Sequence, residues 1–458
     1  MTEHKMVVGA LLVAALTASL AQTIVIAVLP VLGPALGASA TAATWVLTAF
    51  MLSSAVATPI AGRLGDMFGH RRVLLACLGC FALGTLVCAP AESLGWMVLG
   101  RALQGVAGGV FPLAFGIVRA SVPPGRVPGV VALLSAMFGI GGSAGMVVAG
   151  PVADAAGTRW LFWGTLVLAA AALAACAALP PARRAALAGR VDLAGAVLLS
   201  GALVALLLAI SQGRAWGWGS AAVVGLFAAA ALLLAAFARV QLRSPDPLVD
   251  LRLMGRRALV TTNLATLVVG AAMFGVITLI PRFVQTPPSA GYGFGASVAQ
   301  AGLVMLPMAL IMLVATPLAP LLGRRFGSRL PLQAGAACAA VSFLLLAAVH
   351  DRLWHFHAAG LVVGIGYGLA FASIGNLVVE AVEPHRTGVA TGVNTIVRTV
   401  GGAVGAQIAA ALLAAGTPDS GPVPAESGYT TAFAAFAVLA VAAVAVASAI
   451  PRRSSVGV

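Results

Sequence analysis

Residues 62–72, Gly62-Arg-Leu-Gly-Asp66-Met-Phe-Gly69-His-Arg71-Arg72, set three arginines, one aspartate and three glycines between two long apolar runs. Charged residues make up only 8% of the 458-residue chain and hydrophobic ones 61%, with a mean hydropathy of +1.06. That balance is too apolar for a soluble globular protein. The apolar runs repeatedly exceed the roughly 18–20 residues a helix needs to cross a bilayer. The charged cluster therefore reads as a short loop at a membrane surface, joining two spans.

Working outward from it, fourteen apolar runs predict membrane-spanning helices near 6–32, 43–62, 73–90, 95–118, 128–152, 160–180, 193–211, 219–239, 258–281, 297–321, 329–350, 356–379, 387–414 and 430–450. Placing the N-terminus inside and alternating puts Lys5 and nineteen arginines on the inner side, among them Arg63, Arg183, Arg184, Arg256, Arg257, Arg324 and Arg452. Only Arg159, Arg214, Arg282 and Arg352 fall outside. The asymmetry satisfies the positive-inside rule and predicts a multi-pass protein of the cell (inner or plasma) membrane with both termini cytoplasmic. The N-terminal run could be mistaken for a signal peptide ending at Ala38-Ser39-Ala40, but it is longer than a signal h-region and reads as the first span.

Several function classes drop out. The net charge of +14 and a pI near 11.3 do not indicate nucleic acid, because the arginines sit in short loops without interleaved aromatics. Lys5 is the only lysine, so no GxxxxGK[ST] phosphate loop exists and no nucleotide partner is expected. The five cysteines lie inside apolar runs and read as small buried hydrophobes; Cys77-x-x-Cys80 lacks the second pair or histidine that a metal or redox site needs. No metal, no cofactor and no catalytic group is expected.

The chain repeats itself. PGRVPGVVALLSAMFGIGGSAG from Pro124 aligns without gaps with PHRTGVATGVNTIVRTVGGAVG from Pro384, pairing Arg126, Gly141, Gly142 and Gly145 with Arg386, Gly401, Gly402 and Gly405 at an offset of 260. The opening cluster has a fainter echo at 321–329, LLGRRFGSR, where Phe326, Gly327 and Arg329 match Phe68, Gly69 and Arg71 at an offset of 258. Two six-helix halves with a two-helix insertion account for the pattern. Repeated halves with a site at their interface are the general plan of secondary transporters.

With these motifs in hand, the chain resembles the major facilitator superfamily, specifically its fourteen-span drug:proton antiporter branch of the multidrug efflux type. Residues 62–72 resemble the signature loop between spans 2 and 3; Leu99-Gly-Arg101-Ala-Leu-Gln104-Gly105 is similar to the arginine motif of span 4, and Gly139–Gly150 to the glycine-rich motif of span 5. Leu20-Ala-Gln-Thr23-Ile-Val-Ile-Ala-Val-Leu-Pro30 resembles the span 1 signature. The resemblance implies an all-α polytopic fold with two six-helix bundles and two extra central helices: 1–182 an N-terminal bundle, 183–255 a linker with the extra helices, and 256–458 a C-terminal bundle. It also implies that the carboxylate and arginines of the loop (Gly62, Asp66, Gly69, Arg71, Arg72) tie cytoplasmic helix ends together in the outward-facing state. The competing reading is a charge cluster that only sets orientation.

Arg101 and Arg398 lie inside spans, where an arginine costs at least about 2.5–3.5 kcal/mol and faces a cavity or a partner. Both start an i, i+3, i+4, i+7 face, Arg101 with Gln104, Gly105 and Gly108, and Arg398 with Gly401, Gly402 and Gly405. The repeat mate of Arg398 is Phe138, so its charge is not a symmetric scaffold feature. Gln22, Thr23, Arg101, Gln104, Asn263, Asn376, Asn394 and Arg398 are expected to line a substrate cavity. Gly105, Gly142, Gly145, Gly401, Gly402 and Gly405 are expected to let helices pack closely. The alternative for either arginine is a structural bond to backbone carbonyls.

The chain also departs from its branch. Where the branch usually has an aspartate in span 1 stands Ala21, and Met146 stands where span 5 usually has proline. No carboxylate or histidine falls at mid-membrane, which leaves Asp154 at an outer end and Asp66 at an inner end as proton-coupling candidates. The expected function is export of a hydrophobic or amphipathic small molecule, drug- or antibiotic-like, by proton antiport with alternating access, acting as a monomer. A proton-independent facilitator or importer of a metabolite stays open, and more remotely a membrane sensor or enzyme. The alanine- and arginine-rich, lysine-poor composition points to a GC-rich bacterial genome.

Overall fold

The structure is a computed structural model that describes residues 2–180, 192–245, 247–383, 386–417 and 423–451. Arg183, Arg184, Arg452 and Pro384, all used in the sequence reading, lie outside the described residues. Among the described residues, fourteen helices are long and apolar enough to span a bilayer, the number the apolar runs predict. They are α1 (Thr2–Ala35), α2 (Trp45–Phe68), α3 (His70–Cys88), α4 (Leu94–Ser121), α5 (Val127–Ala156), α6 (Thr158–Ala177) and α7 (Leu193–Trp216). After them come α8 (Ala221–Arg243), α9 (Arg257–Gln285), α10 (Val298–Ala315), α11 (Arg329–Ala348), α12 (Leu353–Glu380), α13 (Thr387–Ala415) and α14 (Glu426–Ser448). Helix is the one regular structure that satisfies every backbone group within a single spanning segment, so an apolar chain of this length has little alternative.

The chain clusters into two compact units: residues 1–130, 152–256 and 378–396 form the first, and 131–151, 257–377 and 397–458 the second. Helices α5, α12 and α13 are each divided between the units. In the first unit Val25, Leu32, Val46, Cys88, Met97 and Phe162 form a buried core. Helix α4 is pressed against α2: a Cβ on Gly105 would sit 2.6 Å from the Phe50 carbonyl oxygen, and one on Gly108 2.6 Å from Thr58 Oγ1. The helix tightens to a 3₁₀ turn over Val106–Gly109 at this contact. The insert forms a hairpin in which α7 packs against α8 and against α2. Asp192 closes its base, accepting from Gly195 N–H (2.7 Å) and Gln241 Nε2 (2.6 Å).

In the second unit α13 packs along α9 through glycine. Cβ atoms on Gly401 and Gly405 would overlap the carbonyl oxygens of Leu267 and Ala271, and one on Gly402 would come within 2.6 Å of the Phe274 ring. Phe283 centres an aromatic cluster with Tyr292, Phe356 and Tyr429, at centroid distances of 5.3, 5.0 and 5.1 Å. The sequence reading ran span 10 to residue 321; instead α10 ends at Ala315 and a separate helix covers Leu318–Phe326. Pro317 brings no N–H to continue the ladder, and Thr316 Oγ1 bonds back to the Met312 carbonyl (2.7 Å).

The repeat is visible in the helix bounds. Residues 127–156 shifted by 260 become 387–416, against an observed Thr387–Ala415 for α13. Gly69 and Gly327, paired in the sequence repeat, both take positive φ (96° and 89°), and each returns its N–H to the carbonyl four residues back at 2.9 Å. Only glycine adopts that turn without strain, which fixes the residue at both α2–α3 and its counterpart.

Candidate functional site

Asp66 lies in the last turn of α2 with its side chain fully buried. A buried carboxylate must be bonded or it destabilises its surroundings strongly. Its Oδ2 accepts from the Val389 N–H (3.3 Å) in the first turn of α13, and its Oδ1 lies 2.9 Å from His70 Nε2. The first-turn amides of a helix lack intrahelical partners and carry the positive end of the dipole. Asp66 thus caps α13 from a different helix. Glycines make the approach possible, since a Cβ on Gly62 would stand 2.6 Å from the Gly388 carbonyl oxygen and one on Gly388 2.8 Å from Asp66 Oδ1.

A second tie stands beside it. Arg119, in the last turn of α4, donates from Nη1 to the Val379 carbonyl (2.5 Å) and to Thr387 Oγ1 (2.8 Å), joining the end of α12 to the start of α13. A third, Arg386 Nη1 to Asp250 Oδ2 at 2.6 Å, links the segment after α8 to the same helix start, with both partners part-exposed. Arg71 turns elsewhere and donates to the Ala177 carbonyl (2.5 Å) at the C-terminal end of α6; Arg72 and Gly69 are exposed. Swapping the Asp250–Arg386 pair tests the weakest tie. Asp250→Arg or Arg386→Asp alone should slow transport no more than about fivefold, as expected of a part-exposed ion pair, and the double swap should recover most of it in a vesicle assay.

Arg101 is 1% exposed on α4 and binds carbonyls rather than open space. Its Nε donates to Val46 O (3.1 Å) of α2, and its Nη1 to Ala21 O (3.0 Å) of α1 and to Gln104 Oε1 (2.8 Å). Gln104 Nε2 continues to Thr85 Oγ1 (2.8 Å) on α3, and the guanidinium lies 4.3 Å from the Phe50 ring centroid. One arginine therefore braces four helices.

Arg398, 7% exposed on α13, stacks its guanidinium 3.5 Å above the ring of Phe138 on α5, with Phe371 at 5.7 Å. A cation over an aromatic face at low dielectric is an attractive contact. Gly270 on α9 is closed against the Arg398 backbone, where a Cβ would lie 2.8 Å from its carbonyl oxygen. Phe138 is also the position equivalent to Arg398 in the repeat. The contact therefore joins equivalent positions of the two repeat helices α5 and α13 within the second unit. Arg119 and Val379, in the first unit, are likewise 260 apart and in contact.

Gln22 and Asn263 are half-buried, Thr23 donates to the Leu20 carbonyl (3.3 Å), Asn376 and Asn394 are buried, and Asp154 is exposed in the last turn of α5. Gly142 and Gly145 are buried on α5. Sequence reasoning missed Arg119, Thr387, Val389 and the Asp250–Arg386 pair. Arg119 carried one usable signal, its repeat relation to Val379; a main-chain amide such as that of Val389 carries none.

Fourteen apolar helices, an internal repeat, arginines buried within spanning helices and a cross-helix tie at one end describe a polytopic membrane protein built from repeated halves. The sequence matches the profile described as Major Facilitator Superfamily over residues 11–406 and again over 264–456. The chain belongs to this superfamily. It is 32% identical over 358 residues to an uncharacterised MFS-type transporter of Mycobacterium tuberculosis, covering 76% of this chain and 50% of that protein. It is 26% identical over 352 residues to the multidrug transporter protein MdtP of Bacillus subtilis and 28% over 350 residues to the tetracenomycin C resistance and export protein of Streptomyces glaucescens; each match covers 76% of this chain and 64% of the relative. The chain thus spans half to about two thirds of the length of these relatives. Among solved structures, the human organic anion transporter MFSD10 shares its fold with a TM-score of 0.67 at 18% identity, covering 98% of this chain and 100% of that one.

Proposed function

We propose that the protein exports hydrophobic or amphipathic small molecules by proton antiport, with its arginine-rich end cytoplasmic and its halves rocking between two access states. The observation that carries this reading is Arg398 stacked on its own repeat equivalent, Phe138. It puts a cation and an aromatic face at membrane depth where the repeats meet, and repeat interfaces are where secondary transporters bind cargo. A cation flanked by Phe138 and Phe371 favours planar, apolar, neutral or anionic molecules over polycations. The export named for the Streptomyces glaucescens relative supports the same direction. In this reading Arg101 holds α1 and α2 in place around the cavity, and the ties of Asp66 and Arg119 hold the cytoplasmic ends together while the site faces outward.

Growth of a drug-hypersensitive host on a panel of toxic compounds tests export. Arg398→Ala, expressed at the normal level, should reduce export at least about tenfold, the worth of one charge-assisted contact; unchanged export would sink the site.

One observation favours a second reading. Where the antiporter branch has an aspartate, the main-chain carbonyl of Ala21 receives Arg101, so no proton-carrying group stands at that contact. A facilitator would need none. Collapsing the pH gradient across vesicles separates the two: antiport stops, and facilitated exchange continues.

A further inference from the structure

A cavity of about 430 Å³ opens at the arginine-rich end of the first unit, between the last turns of α2 and α8, the segment after α8 and the start of α13. Its charged lining consists of Arg63, Arg243, Arg252 and Arg386 with Asp66 and Asp250. Both acids are already engaged: Asp66 by Val389 N–H and His70, and Asp250 by Arg386 and by the amides of Arg252 and Leu253 at 3.1 and 3.0 Å. The arginines are not matched in the same way. Arg63 Nε is buried with no hydrogen-bond partner among the described residues, and Arg243 forms no ion pair with any of them. Arg252 Nη2 reaches only the Leu242 carbonyl, at 3.5 Å, so guanidinium groups from α2, α8 and the connecting segment share one concavity in which four arginines face two carboxylates and the lining is net positive. A net positive concavity of this kind raises the local concentration of anions and favours binding one.

We propose that this cavity is an anion site for a phosphate ester group, free or carried on a lipid headgroup, held by Arg63, Arg243 and Arg252. Guanidinium forks match phosphate oxygens in a planar two-point geometry that lysine cannot supply, and all the cationic side chains here are arginine. The cavity lies where α8 reaches its C-terminal end, level with the ends of the spanning helices, where anionic headgroups concentrate. Occupancy would pin the segment after α8 to α2 and give the two-helix insert a task that export by the twelve repeat helices leaves unfilled.

The test uses the full chain purified in an uncharged maltoside detergent, with thermal unfolding followed while inorganic phosphate, dihexanoyl phosphatidylglycerol, dihexanoyl phosphatidylcholine or sodium chloride is added at matched ionic strength. A saturable rise in melting temperature with phosphate, with phosphatidylglycerol or with both is expected. Phosphate matching phosphatidylglycerol assigns a free anion; a response to phosphatidylglycerol that phosphate does not reproduce assigns a headgroup. Arg63→Gln with Arg243→Gln should weaken the apparent affinity about tenfold for each guanidinium removed. Should that variant fail to fold, Arg243→Gln with Arg252→Gln, both at exposed positions, reads the same loss. An equal shift from chloride or phosphatidylcholine, no saturable shift at all, or an unchanged curve in the folded variants overturns the site.

Discussion

Asp66→Ala is expected to cut export about a hundredfold while leaving the protein folded. The substitution leaves the Val389 amide without its acceptor inside a buried contact and strips His70 of its partner. A bond to a charged acceptor contributes about 1.5–3 kcal/mol. Losing the one to Val389, which alone of the two crosses to α13, moves the equilibrium between joined and separated helix ends by roughly one to two powers of ten. The upper end applies because the amide is left unpaired in a buried contact. Asp66→Asn keeps one accepting oxygen and should fall between, near a tenfold loss. The conformational part can be read directly. A cysteine placed at Val389 should react with an impermeant maleimide faster in Asp66→Ala than in the parent when inside-out vesicles are labelled. Equal labelling together with undiminished export would show that the contact holds nothing shut.

Gly405→Val should act on folding rather than on the transport cycle. A Cβ at this position overlaps the Ala271 carbonyl oxygen, and backbone cannot rotate aside as a side chain can. Overpacking costs about 1–3 kcal/mol where neighbours yield, and more where they do not. Here α9 and α13 would have to separate along the whole Gly401–Gly405 seam. Monodisperse protein in size-exclusion chromatography should drop to about a tenth of the parent yield, given such a cost against a marginal fold. Gly9, whose Cβ would meet nothing within 4 Å, is the control: Gly9→Ala should be silent. A normal yield of Gly405→Val would mean the seam is looser than its geometry.

The sequence announces the helices because each must present about 20 apolar residues to lipid, and nothing else in such a chain satisfies its backbone. It also announces the Gly69 turn and its counterpart at Gly327, since only glycine takes those φ values. What binds the charged groups was hidden for one physical reason. Asp66 meets the amide of Val389, Arg71 the carbonyl of Ala177, Arg119 that of Val379, and Arg101 those of Val46 and Ala21. Every residue type offers the same amide and carbonyl, so side-chain identity leaves no trace of such partners. The break after Ala315 was legible in Pro317, and a hydropathy reading passes over it because proline is not polar.

The stacking of Arg398 on Phe138 constrains how such a chain could have arisen. If one ancestral half was copied and joined to itself, any residue on the axis would first have faced its own twin. Two guanidinium groups 3.5 Å apart in a medium of low dielectric repel too strongly to coexist, whereas an arginine and a phenylalanine attract. A cation at this spot is therefore compatible with such a duplication only if one copy alone carries it, as here.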